Sequence, residues 1–179
     1  MWMKGIVDYE GEPNYGATSL LKSGQRGGVF DVEETLIHFV GKNGRKYGET
    51  VSPDGYVLNR EAPNIFRAAG SMGIHLIVWT VNPVAISNLD FLLRNASVNP
   101  ETIDEWIIGP NNCVDGWYKK DIRIVNRNLW SLFAVEDHQD ETPHWFWPEG
   151  RVIYLEHEGD LMESFVEGLR RYNGNGRRH

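Results

Sequence analysis

The sequence predicts an α/β fold in which helices cover a parallel sheet. From residue 27 onward, short apolar runs alternate with segments of helical periodicity, and strands joined through helices run parallel. Each run is short enough to form a strand that is buried on both faces. The chain has 179 residues, of which 41% are hydrophobic. It can therefore bury one sizeable core and is too short for two ordinary domains.

The strands are predicted from apolar runs at residues 28–30, 74–79, 105–108, 132–135 and 152–155. Residues 1–26 are rich in Gly, Ser, Asn and charged residues, so we expect an irregular N-terminal arm there. Residues 41–59 have no helical period and contain Gly-Arg-Lys-Tyr-Gly and Ser-Pro-Asp-Gly, which predicts a hairpin or flap. The domain itself is expected to span residues 27–172, followed by a flexible tail.

Four amphipathic segments predict helices at residues 62–71, 83–95, 121–129 and 161–172. Pro63 suits the first turn of the first of these helices, where a missing N–H costs nothing. Asp160 is placed to cap the last helix, and Arg170 and Arg171 lie where the helix dipole favours cations. The tail at residues 173–179 follows this helix.

Composition excludes several classes of function. Lys and Arg number 18 against 25 acidic residues, a net charge of -7, which argues against binding to a nucleic-acid backbone or an anionic membrane. Cys113 is the single cysteine, so neither an intramolecular disulfide nor a Cys-rich zinc site can form. We expect no secretion signal, because the first residues are followed by charged residues and not by an apolar run, and the sequence holds no run of about 18 apolar residues. We expect an intracellular protein in the cytoplasm, with the nucleus as the alternative.

Acidic and hydroxyl residues follow the ends of three predicted strands. The first strand ends in Asp31-Val32-Glu33-Glu34-Thr35, the second in Thr80 and the fourth in Glu136-Asp137, while Lys120 opens the helix before the fourth strand. Ligands bind at this end of the strands in open α/β sheets. Two carboxylate clusters across a sheet edge need a cation, and a lysine and a hydroxyl are the donors that a phosphoryl group requires.

These segments resemble haloacid-dehalogenase (HAD) phosphatases. Residues 30–38, Phe-Asp-Val-Glu-Glu-Thr-Leu-Ile-His, are similar to the first motif, Asp-x-Asp-x-Thr, in the form found in RNA polymerase II C-terminal-domain phosphatases. Thr80 stands in the place of the second-motif threonine, Lys120-Asp121-Ile122 resembles the third motif, and Glu136-Asp137 is similar to the fourth-motif acidic pair. The resemblance covers residues 27–158, and capless magnesium-dependent small phosphatases of the same superfamily fit nearly as well.

The resemblance implies a Rossmann-like three-layer sandwich that carries a small flap and no cap. It also implies that Asp31 attacks phosphorus and forms an aspartyl-phosphate. Magnesium would be held by Asp31, by the backbone carbonyl of Glu33 and by Asp137, with Glu136 as a further ligand through water. Thr80 and Lys120 would donate to the phosphoryl oxygens, and Val81 and Asn82 complete the implied substrate-binding set.

Glu33 departs from the family pattern, because the family has an aspartate there that protonates the leaving oxygen. Acid–base help of this kind is worth roughly 10² to 10⁴ in rate, and a misplacement of about 1 Å can cost about 10²-fold. The first hypothesis is a magnesium-dependent phosphomonoester hydrolase acting on an exposed phosphate of a phosphoprotein or of a small ester. The alternative is a catalytically impaired domain that serves as a binding module. A phosphatase of nucleic-acid ends is a third hypothesis, which the acidic charge disfavours.

Structural roles compete with each of these assignments. The segment 31–35 also suits an ordinary strand-to-loop turn, and Lys119 competes with Lys120 for the third-motif position. The aromatic run at residues 144–148 suits either a ligand wall or packing across the end of the sheet. The histidines show no metal-ligand spacing, so a zinc site is not expected.

Overall fold

The computed structural model of the chain describes residues 6–8, 25–41, 49–108, 113–114, 117–118, 132–137, 152–155 and 160–174. The predicted helix at residues 121–129 lies outside the described residues, as do Lys120, Lys119, the aromatic run at residues 144–148 and most of the N-terminal arm. The end of the predicted tail, at residues 175–179, lies outside them as well.

Within the described residues, six parallel strands form the central sheet: β1 (Ile6–Asp8), β2 (Gly27–Asp31), β5 (His75–Thr80), β6 (Glu105–Ile108), β9 (Leu132–Glu136) and β10 (Val152–Tyr154). Their order across the sheet is β1-β6-β5-β2-β9-β10. The five predicted strands are confirmed. Strand β1 lies in the segment expected to be irregular and extends the sheet by pairing with β6.

The four inner strands β2, β5, β6 and β9 are buried on both faces, as the short apolar runs predicted. Side chains alternate between the faces along each strand. One face belongs to a core cluster together with the helices, and its residues are Phe30, Leu76, Val78, Trp106, Phe133 and Val135. The opposite face is buried too, through Val29, Ile77, Trp79, Ile107 and Ala134. The fold is thus α/β and consistent with a Rossmann-like three-layer sandwich.

The described helices are α1 (Ala62–Ser71), α2 (Pro83–Asn95) and α3 (Leu161–Gly174), and a 3₁₀ turn spans Pro100–Thr102. The first two match their predicted bounds, and α3 ends two residues beyond its predicted end. Glu61 precedes α1, and its Oε2 accepts a hydrogen bond of 2.8 Å from the backbone N of Met162 in α3. One carboxylate therefore joins the N-terminal ends of α1 and α3. Within the described segments, none of the helices has the length and apolar character needed to cross a bilayer.

A flap rises directly from the end of β2. After β2, the carbonyl oxygen of Val32 accepts hydrogen bonds from the backbone N of Leu36 and of Ile37, both at 2.9 Å. This tight turn leads into β3 (Ile37–Phe39), which pairs antiparallel with β4 (Tyr56–Leu58). Of this hairpin, β4 lies within the predicted flap at residues 41–59, whereas β3 lies before it. Two further short strands, β7 (Cys113–Val114) and β8 (Trp117–Tyr118), form a separate antiparallel pair.

Candidate functional site

Three carboxylates converge at the carboxyl end of the sheet. Strands β2 and β9 pair in a register that matches Phe30 with Val135, so the next residues, Asp31 and Glu136, project from the same face. Asp137 follows directly. One carboxylate oxygen from each of these three residues lies within 4.8 Å of the other two. The relative exposure of Asp31 is 9% and that of Glu136 is 7%, so two of the three are largely withdrawn from water.

The donor set of this acidic cluster fits a hard divalent cation. Buried carboxylates lose hydration and repel one another when they lie this close. Magnesium and calcium bind carboxylate oxygens at about 2.0–2.6 Å, so ligands on opposite sides of the ion lie about 4–5 Å apart. The three oxygens lie within 4.8 Å of one another, so none of their separations exceeds what one ion can span. A single cation at the centre of the cluster would therefore reach all three carboxylates and offset their repulsion.

A second polar cluster is built around Glu33 and joins the carboxyl ends of β2 and β5. The amide Nδ2 of Asn82 donates to Glu33 Oε1 over 2.7 Å, and the hydroxyl of Thr80 donates to Glu33 Oε2 over 3.2 Å. The two oxygens of Glu33 are thus each held by a different donor. Because β2 and β5 are neighbours in the sheet, residues that are 47 and 49 positions apart in the sequence can meet here.

The hydroxyl of Thr80 makes hydrogen bonds with two partners. It accepts a hydrogen bond of 3.0 Å from the backbone N of Asn82 and donates its proton to Glu33. A threonine hydroxyl carries one proton. Thr80 can therefore donate to a ligand oxygen only if its hydrogen bond to Glu33 is broken.

The flap brings Tyr56 close to the Glu33 cluster, and this tyrosine is not among the site residues predicted from the sequence. Burial raises the pKa of the Tyr56 hydroxyl, and the negative charges of Glu33 and Glu34 raise this pKa further, with a smaller effect from Asp54. The phenol is therefore protonated at neutral pH and available as a hydrogen-bond donor. The signal in the sequence was weak, since only the position of Tyr56 in the predicted flap pointed toward the site.

Glu34, beside the Glu33 cluster, links the turn after β2 to the flap. Its φ is 56°, in the left-handed region that residues other than glycine rarely adopt. Its carboxylate accepts a hydrogen bond of 3.3 Å from the backbone N of Phe39 and contacts His38 Nδ1 at 3.4 Å. These contacts join the turn after β2 to the first strand of the flap.

The structure brings most of the predicted site residues together, in two groups. Asp31, Glu136 and Asp137 form the acidic cluster, while Thr80 and Asn82 surround Glu33. Val81 lies between Thr80 and Asn82 in the connection from β5 to α2 and is half-buried. Lys120 lies outside the described residues, so its position relative to both clusters remains a sequence prediction.

Comparisons with known proteins give distant similarity to solved structures. No protein-family model matches the sequence, and no curated protein matches it either. Among solved structures, the chain is similar to the crystal structure of an uncharacterized protein from Listeria monocytogenes serotype 4b. The two share 14% sequence identity over 81% of this chain and 99% of that chain, with a TM-score of 0.49.

Proposed function

We propose that the protein is a magnesium-dependent phosphomonoester hydrolase of the HAD type, with Asp31 as its nucleophile. The observation that carries this proposal is the convergence of Asp31, Glu136 and Asp137, with one carboxylate oxygen from each within 4.8 Å of the others. The cluster lies at the end of parallel strands where α/β proteins bind their ligands. The neighbouring Glu33 cluster supplies an acid and hydrogen-bond donors, which complete the minimum set of groups for phosphoryl transfer.

In the proposed reaction, a carboxylate oxygen of Asp31 attacks phosphorus and the ester P–O bond breaks. Glu33, protonated at this stage, gives its proton to the departing oxygen. Water then attacks the aspartyl-phosphate, Glu33 accepts a proton from that water, and the release of phosphate restores Asp31. Bound magnesium, held by Asp31, Glu136, Asp137 and the main-chain carbonyl of Glu33, would neutralise charge on the phosphoryl group. Thr80 and Lys120 are proposed to donate to the phosphoryl oxygens, with Val81 and Asn82 beside them.

The proposed substrate is an exposed phosphate on a phosphoprotein or on a small ester. The segments between the motif-like stretches are too short for a large cap, and the described part of the first holds the flap and α1. The negative charge of the chain, -7, disfavours a nucleic-acid substrate. We also propose an intracellular location in the cytoplasm or nucleus, which suits a chain with one cysteine.

The decisive experiment measures hydrolysis of p-nitrophenyl phosphate with and without magnesium. We expect activity that is lost on chelation and that falls at least about 10³-fold in Asp31→Asn, as expected for loss of a nucleophile. Asp90→Asn is the matched control, because Asp90 lies on α2 in an ion pair of 2.9 Å with Arg94, outside both clusters. Equal rates in wild type and Asp31→Asn would refute the proposed nucleophile.

A second candidate function is a binding module without turnover, and one observation favours it. Glu33 already engages the hydroxyl of Thr80 and the amide of Asn82, two of the groups assigned to substrate binding. Glu33→Asp separates the two proposals, since it shortens the acid by one methylene and restores the residue that the resemblance leads us to expect. A higher rate in this variant supports a slow enzyme, whereas no activity in either form supports the binding module.

A further inference from the structure

We infer that Asn82 is a positioning residue that holds the Glu33 carboxylate in place and does not itself bind the substrate. This inference rests on the proposed phosphatase function. It reassigns Asn82 within the site, because the resemblance places Asn82 among the substrate-binding residues. The geometry of its amide points to the different role.

The side chain of Asn82 is fixed at both ends of its amide group. Its Oδ1 accepts a hydrogen bond of 3.0 Å from the backbone N of Val84, which makes Asn82 the N-cap of α2. Its Nδ2 donates to Glu33 Oε1 over 2.7 Å. Because the amide is planar, the capping bond also sets the direction in which Nδ2 points. The first turn of α2 therefore aims a donor at Glu33.

The main chain of Asn82 adds a third anchor. Its backbone N donates to Thr80 Oγ1 over 3.0 Å, so the residue is tied to the end of β5 as well as to α2. Thr80 is in turn buried, with a relative exposure of 1%. The donor that faces Glu33 is thus attached to two rigid elements of the fold, which is the arrangement that holds a reactive group at a fixed position.

Glu33 needs such a restraint more than an aspartate would. Its side chain has one more rotatable bond, and a misplacement of about 1 Å can cost about 10²-fold in rate. Thr80 and Asn82 both hold the carboxylate through hydrogen bonds. If Thr80 turns its single proton toward a phosphoryl oxygen, its bond to Glu33 is lost. Asn82 then keeps its bond and holds Glu33 while the phosphoryl group is bound.

The test uses two variants that preserve the helix cap and remove the donor. Serine and aspartate are both good N-cap residues, so Asn82→Ser and Asn82→Asp should keep α2 intact. We expect kcat for Asn82→Ser to fall about 10- to 100-fold, with KM within about 2-fold of wild type. Asn82→Asp serves as the second variant should Asn82→Ser fail to fold. Asn99→Ser is the matched control, because Asn99 caps the 3₁₀ turn through a bond of 3.1 Å to the backbone N of Glu101.

Two further readouts separate positioning from direct substrate contact. Phenyl phosphate has a poorer leaving group than p-nitrophenyl phosphate and depends more on a proton from Glu33. Loss of Asn82 should therefore slow phenyl phosphate hydrolysis more than p-nitrophenyl phosphate hydrolysis. The double variant Glu33→Gln/Asn82→Ser should be no slower than Glu33→Gln alone, because a positioning residue has nothing left to position.

The outcomes are distinguishable from one another. A raised KM with unchanged kcat, losses that multiply in the double variant, or kinetics like those of the Asn99→Ser control would each overturn the inference while the proposed function stands. Wild-type protein that hydrolyses neither ester would overturn the proposed function, and the inference with it. A lower kcat, a stronger effect on phenyl phosphate and no further loss in the double variant together support the role of Asn82.

Discussion

The side-chain amide of Asn88 donates a hydrogen bond of 3.0 Å to Asp54 Oδ2 and so ties the flap to α2. The second proton of the same amide bonds to the carbonyl oxygen of Val84 at 2.8 Å, which fixes the orientation of the group. Asp54 lies in the turn directly before β4, the strand that carries Tyr56. One helix therefore anchors both the flap, through Asn88, and Glu33, through Asn82.

We expect Asp54→Ala to loosen the flap without unfolding the domain. A hydrogen bond of this kind is worth about 1 kcal/mol, which corresponds to about 5-fold in an opening equilibrium. Amide hydrogen exchange of Tyr56 and the rest of β4 should accelerate by about that factor. Asp54→Asn is the control, because it keeps an acceptor oxygen and should exchange like wild type. Wild-type exchange rates in Asp54→Ala would show that the tie to Asn88 does not hold the flap.

Magnesium should stabilise the protein against heat through the acidic cluster. At a concentration 100 times its Kd, a ligand that binds only the folded state adds about 2.7 kcal/mol. For a chain of this size that corresponds to a rise in Tm of about 5–10 °C. The rise should vanish in Asp31→Asn, which removes one of the three carboxylates. Asp90→Asn should retain it, and an equal rise in all three proteins would place the cation elsewhere.

In metal-free buffer, Asp31→Asn should be more stable than wild type, the reverse of the order expected with magnesium. Three carboxylate oxygens within 4.8 Å of one another repel when no cation is bound. Asp31→Asn removes part of this repulsion, so its Tm without magnesium should exceed that of wild type. A lower Tm for Asp31→Asn under these conditions would mean that other contacts of Asp31 outweigh the repulsion.

Tyr56 should ionise later than an exposed tyrosine. Burial raises the pKa of its hydroxyl above the ordinary value of 10.0, and the charge of Glu33 raises it further. The unfolded chain therefore loses this proton first, so the contribution of Tyr56 to the free energy of unfolding is present below pH about 10. It is lost as the pH rises through the pKa of the folded state.

Absorbance at 295 nm measures this ionisation directly. The difference between wild type and Tyr56→Phe should give a transition with a midpoint above pH 10. In a Glu33→Gln background the midpoint should move down, because one of the neighbouring negative charges is gone. A midpoint at or below 10 in the wild-type difference would contradict the location of Tyr56 beside Glu33.

The order of polar residues along the chain predicted the acidic cluster but not the partners of Glu33. Parallel strands bring their carboxyl ends to one edge, so Asp31 and the pair Glu136-Asp137 had to lie near each other if β2 and β9 were neighbours. Thr80 and Asn82 are assigned to substrate by the resemblance, and their hydrogen bonds to Glu33 were not predicted from the sequence. Hydrogen-bond partners depend on rotamers and on helix caps, which a single sequence does not specify.

The edge strand β1 likewise could not be predicted from the sequence alone. Strand β1 is three residues long and carries no periodic signal of its own. It exists through its pairing with β6, a tertiary contact across about one hundred residues. The four interior strands, by contrast, are apolar runs buried on both faces, and that pattern is visible in the sequence before any contact is known.

Glycines at two positions make room for one aromatic ring, a relationship that the sequence did not reveal. A Cβ on Gly28 would lie 2.9 Å from Phe133 Cζ, and a Cβ on Gly168 would lie 2.7 Å from Phe133 Cε2. Gly28 lies in β2 and Gly168 in α3, so the ring of Phe133 occupies the space between a strand and a helix. The glycine in β2 is thus explained by close packing against Phe133.

We expect Gly168→Ala to destabilise the protein although alanine favours helix formation. The gain in helix propensity is about 1 kcal/mol, whereas forcing a methyl group against Phe133 costs about 1–3 kcal/mol. Gly70→Ala is the matched control, because Gly70 also lies in a helix and a Cβ there would meet nothing within 4 Å. Urea unfolding should therefore show lower stability for Gly168→Ala and higher stability for Gly70→Ala. The smaller side chain in Phe133→Leu should reduce the cost of Gly168→Ala, and equal stabilisation by both alanines would mean that α3 packs less closely on β9 than described.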